Sequence, residues 1–223
     1  MPDIATSAID DLDALARTVY SAVVSDSCDR HGLRHQTAEP GLHCASVSSP
    51  TLVGWARTVQ ARTVAQAPQR PYGAEIDYVD SLRPGEVVVA DTSGSNSGFW
   101  GELFSTAATG RGARGAVIDG LVRDQHKMTE LGFPVYARGA RPADSLGRLS
   151  IVEQDHPVVF RGVEVRTGDL VVADIDGIVF VPRDVVEPVI AYAVEKATME
   201  NHARELLLRG GKLADVWEKY RVL

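Results

Sequence analysis

Apolar residues near the N-terminus recur three or four positions apart, which is the spacing of a helix that packs one face against a core. This pattern predicts a helix from Ser7 to about Cys28, and Gly32 is placed to end the segment soon afterwards. Acidic residues at positions 10, 11 and 13 suit its first turn. We therefore interpret residues 1–32 as an N-terminal helix.

The next part of the chain contains one strand between two irregular stretches. Residues 33–51 show neither the helical spacing of apolar residues nor the alternation of a strand, and are predicted to be a loop. The segment from Arg62 to Ala74, which is rich in Gln and Pro, is also predicted to be a loop. Residues 52–61 between them are typical of a strand. Neither loop is long enough to separate two domains.

The middle of the chain alternates between strand and helix signals. The predicted order is strand Glu86–Asp91, loop Thr92–Gly98, helix Phe99–Thr109, strand Gly115–Asp119, turn Gly120–Arg123, helix Asp124–Leu131 and strand Pro134–Ala137. Such alternation favours a parallel sheet, in which ligands bind outside the carboxyl ends of the strands. The segments Thr92–Leu103 and Gly120–Asp124 should both lie at that edge.

After Ser150 the pattern changes to short strands separated by Gly-containing turns, which predicts antiparallel hairpins. A long helix from about Asp184 to Arg209 and a short helix Leu213–Tyr220 should follow. We expect a single α/β domain over residues 1–223, with residues 184–223 as a C-terminal helical extension. The predicted strands are Pro157–Phe160, Val163–Val165, Leu170–Asp174 and Ile178–Val181.

Composition limits the classes of function. With 44% hydrophobic and 24% charged residues among 223, the chain can bury a full core. A net charge of −7 with dispersed basic residues argues against nucleic acid as a partner. No apolar run exceeds strand length and no leader pattern begins the chain, so we expect a cytoplasmic protein without a membrane segment. Cys28 and Cys44 lack a partner motif and should be reduced thiols.

Two short segments at predicted helix starts carry the densest candidate chemistry. The backbone amides near Gly101–Phe104 can hold a carboxylate, because the first N–H groups of a helix lack internal partners. Arg123 offers a planar donor fork for the same carboxylate, and Asp124 can ligate Mg²⁺ or Mn²⁺. By spacing alone, an Arg-Asp pair at a helix start is more often an N-cap with a surface ion pair.

A longer sequence pattern supports a functional role for Arg123-Asp124. Glu102 is followed by twenty residues and then by Arg123-Asp124, and this spacing lies within conspicuous blocks. With these blocks the chain resembles the 4-hydroxy-4-methyl-2-oxoglutarate aldolase family, which shares its fold with the regulator of ribonuclease activity A (RraA). The blocks are Trp100–Leu103, Arg111–Asp124, Leu131–Gly139, Gly168–Asp174, Asp176-Gly177, and Glu195-Lys196 with Glu200 and Arg204.

The resemblance implies a fold and a set of roles. The fold is a β/β/α sandwich of the swivelling phosphohistidine-domain type, assembled into trimers or hexamers with the active site between subunits. Asp124 is then the protein ligand of a divalent metal, Mg²⁺ or Mn²⁺, and Arg123 contacts the substrate. Glu102, where the family often has Asp, holds a water of the metal. Glu200, or alternatively Glu195, is contributed from the C-terminal extension of the neighbouring subunit. The substrate-binding segment is Gly101, Glu102, Leu103 and Phe104.

The implied activity is that of a class II-type aldolase. It cleaves 4-hydroxy-4-methyl-2-oxoglutarate-like 2-oxo acids to pyruvate, and oxaloacetate should lose CO₂ in the same site. The rival hypothesis is a non-catalytic RraA-like binding protein that regulates a ribonuclease or another partner. Arg123-Asp124 and the extended C-terminal helix favour the enzyme, because a pure regulator would not need them.

Four other patterns are weaker indications of function. Residues 110–115 satisfy G-x-G-x-x-G, but they follow a helix and precede a strand, the reverse of a dinucleotide site. The loop Ser93–Gly98 lacks the lysine of a phosphate-binding loop, although it could shape a substrate pocket. His126 is a candidate substrate contact because it follows Asp124 by two positions. Asp174 and Asp176 are best explained by a hairpin turn.

Overall fold

The computed structural model describes residues 9–46 and 51–222 of the chain. Their backbone forms one mixed α/β unit built on a nine-stranded sheet, with a separate two-stranded hairpin. The predicted helix start at Ser7 lies outside the described residues. Within them, no helix combines the length and apolar character that a membrane crossing requires.

The large sheet joins a parallel centre to antiparallel edges. Its strand order is β1-β6-β5-β3-β2-β10-β11, with β4 paired to β5 and β7 paired to β2. The pairs among β2, β3, β5 and β6 are parallel, whereas β1, β7, β10 and β11 pair antiparallel. The strands are β1 His43–Ser46, β2 Leu52–Thr63, β3 Glu86–Asp91, β4 Gly98–Trp100, β5 Gly115–Val122, β6 Val135–Ala140, β7 Leu149–Gln154, β10 Leu170–Ala173 and β11 Ile178–Val181.

Six helices lie in two groups, and α7 packs on the end of α6 around Ala203 and Val216. α3, α4 and α5 pack around Tyr78, Trp100 and Met128 in one buried cluster. α1, α2 and α6 form another cluster with β10 and β11, around residues such as Val23 and Ile190. The helices are α1 Leu12–Thr18, α2 Ser21–Arg30, α3 Gly73–Asp80, α4 Glu102–Gly110, α5 Gln125–Leu131, α6 Val186–Leu208 and α7 Leu213–Tyr220.

Most predicted elements of the middle and C-terminal parts are confirmed. The run β3-α4-β5-α5-β6 is present with parallel pairing. β8 Val158–Phe160 and β9 Val163–Val165 form one antiparallel hairpin, and β10 and β11 form another. The long helix α6 follows a 3₁₀ turn at Arg183–Val185, and α7 has the predicted bounds.

The prediction of one continuous N-terminal helix was wrong. The chain is extended at Val19 and Tyr20, so α1 and α2 are separate helices. Ser21, the first residue of α2, donates from its backbone N–H and its hydroxyl to the carboxylate of Asp174, each at 2.6 Å. This distant carboxylate satisfies donors at a helix start that the local sequence cannot cap.

Both predicted loops also contain regular structure. The predicted loop 33–51 includes β1. The predicted loop 62–74 is too long, because β2 continues to Thr63 and α3 begins at Gly73. Strand β7 was missed altogether. Long-range contacts explain these errors: Ser46 Oγ accepts from Val135 N at 3.0 Å, and the buried Glu75 of α3 accepts from Ile151 N of β7 at 3.1 Å. Because these partners are distant in sequence, the contacts produce no periodic pattern of apolar residues from which the elements could be predicted.

The predicted boundary before α4 was also wrong. The predicted helix begins at Phe99, but Phe99 and Trp100 belong to β4, which pairs with the last residues of β5. Strand β5 in turn continues to Val122 and includes most of the predicted turn 120–123. Pairing between the two segments therefore brings the start of α4 directly beside Arg123, whose N–H donates to Trp100 O at 2.8 Å.

Candidate active site

A cavity of about 240 Å³ lies where β4 and β5 end. Its walls come from four chain segments: the start of α4, the residues after β5, the first turn of α3 and the loop after β6. The lining residues are Tyr72, Ile76, Gly98, Phe99, Trp100, Gly101, Glu102, Leu103, Phe104, Arg123, Asp124, Asp144 and Ser145. The structure thus brings together Gly101–Phe104 and Arg123-Asp124, as the sequence predicted.

Arg123 and Asp124 occupy a sharp bend between β5 and α5. Asp124 has φ 58° and ψ 33°, the left-handed region that Asp tolerates better than most residues. Arg123 Nε lies 3.5 Å from Asp124 Oδ2, a long contact between two partly exposed groups. The side chain of Asp124 is 42% exposed, so its carboxylate remains open to the cavity.

Gly101 allows the start of α4 to approach Asp124 closely. A Cβ atom at Gly101 would lie 2.8 Å from Asp124 Oδ2 and 3.1 Å from Arg123 Cγ. Gly101 is also the N-cap of α4 and has no side chain to satisfy the first amides. The N–H of Glu102 points to Asp124 Oδ2 at 3.4 Å, and the amides of Leu103 and Phe104 have no partner within the helix. These amides and the helix dipole favour an anion.

Asp144 and Tyr72 complete the polar wall of the cavity, and the sequence pattern predicts neither of them as a site residue. Asp144 Oδ1 lies 3.2 Å from Arg123 Nη1, and the hydroxyl of Tyr72 donates to Asp144 Oδ2. Burial opposes ionisation of Asp144, but the Tyr72 hydrogen bond and the Arg123 charge outweigh it and lower the pKa of Asp144. The same hydrogen bond raises the pKa of Tyr72. No local pattern linked these residues, because they follow different elements.

The remaining residues of the α4 segment differ in exposure. Glu102 lines the cavity, and its Oε1 accepts from Thr106 Oγ1 at 2.9 Å. Leu103 is 75% exposed at the cavity rim. Phe104 is half-buried and packs on Trp100 with ring centroids 5.5 Å apart. The segment therefore offers one carboxylate and two free amides to a ligand.

Glu200 does not line this cavity within the chain. Its carboxylate accepts from the hydroxyl of Tyr20 and lies 3.5 Å from Lys196 Nζ, and burial raises its pKa. Glu195, the alternative, is exposed on α6. His126 is exposed on α5 and is not among the cavity-lining residues.

The donor chemistry of the cavity suits a hard cation. Among residues 9–46 and 51–222, no group of three or more His, Cys, Asp or Glu is placed to bind a metal. Asp124 supplies one open carboxylate, and the absence of a Cβ at Gly101 preserves the space against its Oδ2. One carboxylate with water completing the shell is how Mg²⁺ is commonly held, so the residues fit such an ion.

Comparison with known proteins assigns the family. A family model described as RraA-like, Aldolase/RraA, matches residues 21–180. This range is more than half of the chain and includes the whole cavity, and the chain therefore belongs to the RraA-like family. Residues 195 and 200 lie beyond the matched range.

The individual relatives include both an aldolase and a ribonuclease inhibitor by name. A protein of Halalkalibacterium halodurans named "Putative 4-hydroxy-4-methyl-2-oxoglutarate aldolase" is 30% identical over 203 residues, which is 89% of each chain. Protein DlpA of Legionella pneumophila is 25% identical over 90% of this chain, but the chain spans only 32% of DlpA. The crystal structure of Streptomyces coelicolor RraAS2, described as an unusual member of the RNase ES inhibitor RraA protein family, has 31% identity to this chain and a TM-score of 0.72. Its match covers 85% of this chain and 95% of that one.

Proposed function

We propose that the chain is a divalent-metal-dependent carbon–carbon lyase. Its substrates would be 2-oxo acids like 4-hydroxy-4-methyl-2-oxoglutarate, which it would cleave to pyruvate. The observation that carries this proposal is the convergence of Arg123, Asp124 and the uncapped start of α4 on one cavity. A cation, an open carboxylate and free backbone amides are the groups needed to bind and polarise a 2-oxo acid.

The protein groups have separable tasks in this reaction. Arg123 and the amides of Leu103 and Phe104 bind the substrate carboxylate and orient the bond to be broken. Asp124 would hold Mg²⁺ or Mn²⁺, which supplies Lewis-acid stabilisation of the charge that develops on the 2-oxo acid. Glu102 also lines the cavity, and we propose that its carboxylate moves protons there.

The bond changes balance without another reactant. The hydroxyl at C4 loses its proton to a base, the C3–C4 bond breaks, and C4 becomes the carbonyl carbon of the first pyruvate. The electron pair of that bond remains on the C3 fragment as an enolate, which takes up a proton to give the second pyruvate. Oxaloacetate would lose CO₂ through the same enolate, so we propose decarboxylation as a companion activity.

We also propose that the active unit is a trimer or hexamer with the site between subunits. The exposure of Leu103 at the cavity rim supports a further covering element there. Glu195 is the freer of the two candidate acidic residues, because Glu200 is engaged by Tyr20 and Lys196 of its own chain. Light scattering of the purified protein, with Leu103→Ser as an interface variant, would test the assembly.

The test of the lyase proposal is pyruvate release from oxaloacetate and from 4-hydroxy-4-methyl-2-oxoglutarate, with Mg²⁺, with Mn²⁺ and with a chelator. Asp124→Asn is the best variant, because Asn also tolerates the left-handed backbone and only the charge is lost. Asp155→Asn is the matched control, since Asp155 is another left-handed Asp outside the cavity. We expect metal-dependent turnover that is lost in Asp124→Asn and kept in Asp155→Asn.

A second candidate function follows from the similarity to RraAS2. A chain of this fold could instead act as a non-catalytic binding protein that regulates a ribonuclease or another partner. No turnover of either substrate by an intact, metal-supplied protein would favour this alternative. Inhibition of ribonuclease cleavage that persists in Asp124→Asn would support it directly.

A further inference from the structure

Ser145 is a buried residue in the wall of the candidate active-site cavity, and its hydroxyl group has no partner among the described residues. The residue follows Asp144 in the loop after β6, lines the cavity and is 3% exposed. Its backbone carbonyl accepts from Arg148 N and Leu149 N, each at 2.8 Å, which fixes its place in the loop. Its hydroxyl makes no hydrogen bond with any residue that the structure describes. Most buried polar side chains are hydrogen-bonded, so this hydroxyl is an exception.

The hydroxyl of Ser145 is open to the cavity. In the described parts of the chain, the fully enclosed side-chain atoms that lack a hydrogen-bond partner belong to Arg57 and Glu75. The oxygen of Ser145 is therefore not fully enclosed, and it contributes to the small exposed surface of its residue. Because Ser145 lines the cavity, a ligand bound there can reach this oxygen.

The other polar side chains in this wall of the cavity are already engaged. The hydroxyl of Tyr72 donates to Asp144, and the other carboxylate oxygen of Asp144 lies 3.2 Å from Arg123 Nη1. An ionised Asp144 can only accept hydrogen bonds, and its two oxygens face these two donors. Ser145 therefore supplies the uncommitted side-chain donor that the start of α3 and the loop after β6 offer to a ligand.

Strand β4 sets the distance between Ser145 and the start of α4. Asp144, the neighbour of Ser145, forms a β-bridge with Gly98 at the first position of β4. Gly101, just after β4, lies against Asp124 at the other end of the cavity. A strand advances about 3.3 Å per residue, so the two ends are about 10 Å apart. A 2-oxo acid held by its carboxylate at the start of α4 can therefore reach Ser145 with the oxygen on its C4.

We propose that the Ser145 hydroxyl donates a hydrogen bond to the C4 oxygen of the substrate and stabilises the negative charge that this oxygen gains during cleavage. This inference rests on the proposed function, because it assumes a 4-hydroxy-2-oxo acid in the cavity. Ser145 takes up no proton. The C4 hydroxyl gives its proton to the base, the C3–C4 bond breaks, and the C4 oxygen becomes a carbonyl oxygen while Ser145 remains its donor. Ser145 is thus a catalytic residue that the sequence pattern does not predict.

Decarboxylation of oxaloacetate provides a comparison within the same cavity. Oxaloacetate has no C4 hydroxyl, and its leaving carboxylate loses negative charge as the bond to C3 breaks. A hydrogen bond from Ser145 to that carboxylate would stabilise the ground state more than the transition state. Loss of the Ser145 hydroxyl should therefore slow the cleavage of 4-hydroxy-4-methyl-2-oxoglutarate without slowing decarboxylation.

Three variants separate this role from a structural one. Ser145→Ala removes the hydroxyl, and Ser145→Cys replaces it with a weak donor. Ser27→Ala is the matched control, because Ser27 is equally buried but donates to Val189 O at 2.6 Å away from the cavity. Steady-state kcat and KM with Mg²⁺ are measured for both substrates, together with the Tm of each variant.

We expect kcat for 4-hydroxy-4-methyl-2-oxoglutarate to fall at least about tenfold in both Ser145 variants, as when an enzyme loses one donor to a developing oxyanion. The kcat for oxaloacetate should not fall. Ser145→Ala should keep the wild-type Tm because no hydrogen bond within the described chain is lost, whereas Ser27→Ala should lower the Tm and keep both activities.

An equal fall for both substrates, no fall for either, or a Tm of Ser145→Ala as low as that of Ser27→Ala would overturn the inference and leave the lyase proposal standing. Wild-type turnover of oxaloacetate alone would also overturn it, because no C4 hydroxyl would then be recognised. No wild-type turnover of either substrate would sink the lyase proposal itself, and this inference with it.

Discussion

Arg123 Nη1 lies 3.2 Å from Asp144 Oδ1, and this contact joins the loop after β5 to the loop after β6. Arg123 Nη1 contacts Asp144, and Arg123 Nε lies 3.5 Å from Asp124 Oδ2. The other terminal nitrogen of the Arg123 guanidinium group is therefore free to bind a ligand. Tyr72 holds the other oxygen of Asp144. Asp144 is therefore in position to fix the direction in which Arg123 presents its donors.

The first prediction follows from this contact. Asp144→Asn should lower kcat/KM about tenfold, because a poorly oriented Arg123 binds the substrate carboxylate less well. Stability should change little, since the pair is about one-third exposed. Steady-state kinetics and thermal unfolding would measure both. Tyr72→Phe, which leaves the Arg123 contact in place, should have a smaller effect, and unaltered kinetics in Asp144→Asn would argue against a positioning role.

The second prediction concerns the close approach at Gly101. Gly101→Ala places a methyl group 2.8 Å from Asp124 Oδ2 and must displace that carboxylate. We expect a loss of metal-activated turnover of at least about tenfold and a higher Mg²⁺ concentration for half-maximal activity. Gly110→Ala in the same helix is the control, because its Cβ would meet nothing within 4 Å. Equal activity of the two variants would count against a tight fit between α4 and Asp124.

The third prediction is a pH dependence of stability that arises at Asp119. Burial raises the pKa of this carboxyl group, but hydrogen bonds from Arg138 and Arg161 outweigh burial and bring it below 3.8. Because the folded-state pKa is lowered, the contribution is complete above pH 3.8 and is lost as the pH falls through the folded value.

Asp119→Asn tests this dependence. The variant should be less stable than the wild type by about 1–3 kcal/mol at pH 7, because two arginines lose a charged acceptor. Urea unfolding at pH 7 and at values below 3.8 would measure the difference. The difference in the free energy of unfolding between the two proteins should become smaller in acid. A difference that stays constant with pH would show that the charge of Asp119 does not cause the loss of stability.

The fourth prediction concerns the junction of α1 and α2. Ser21→Ala removes the hydroxyl that donates to the buried Asp174 at 2.6 Å, and leaves a carboxylate oxygen with one partner fewer. We expect a loss of about 1–3 kcal/mol, seen as a lower Tm. Ser25→Ala, which removes only a long 3.3 Å contact with Thr37, should change stability by less than about 0.5 kcal/mol. Similar Tm values for both variants would contradict a structural role for the Ser21–Asp174 contact.

Some features could be predicted from the sequence because their causes are local. The apolar run of β3 and the periodic apolar positions of α4, β5 and α5 predict the type of each segment and the face that it buries from residues a few positions apart. Parallel strands then place the segments that follow β3 and β5 at one edge, so the sequence already implied that Gly101 and Arg123-Asp124 would lie near each other. The C-terminal helices were equally clear, since Gly210 and Gly211 separate two stretches of helix-forming residues.

Other features depend on contacts between distant residues. The extended backbone at Val19 and Tyr20 is stabilised at Ser21 by Asp174, and β1 exists because it pairs with β6. The Asp144–Arg123 contact likewise requires the loop after β6 to return to the end of β5. A sequence encodes local conformational preference and burial period directly, whereas a hydrogen bond or ion pair between loops depends on where the whole sheet places them. The sequence by itself therefore determined the sheet centre and the core of the site, and the tertiary structure decided which side chains complete it.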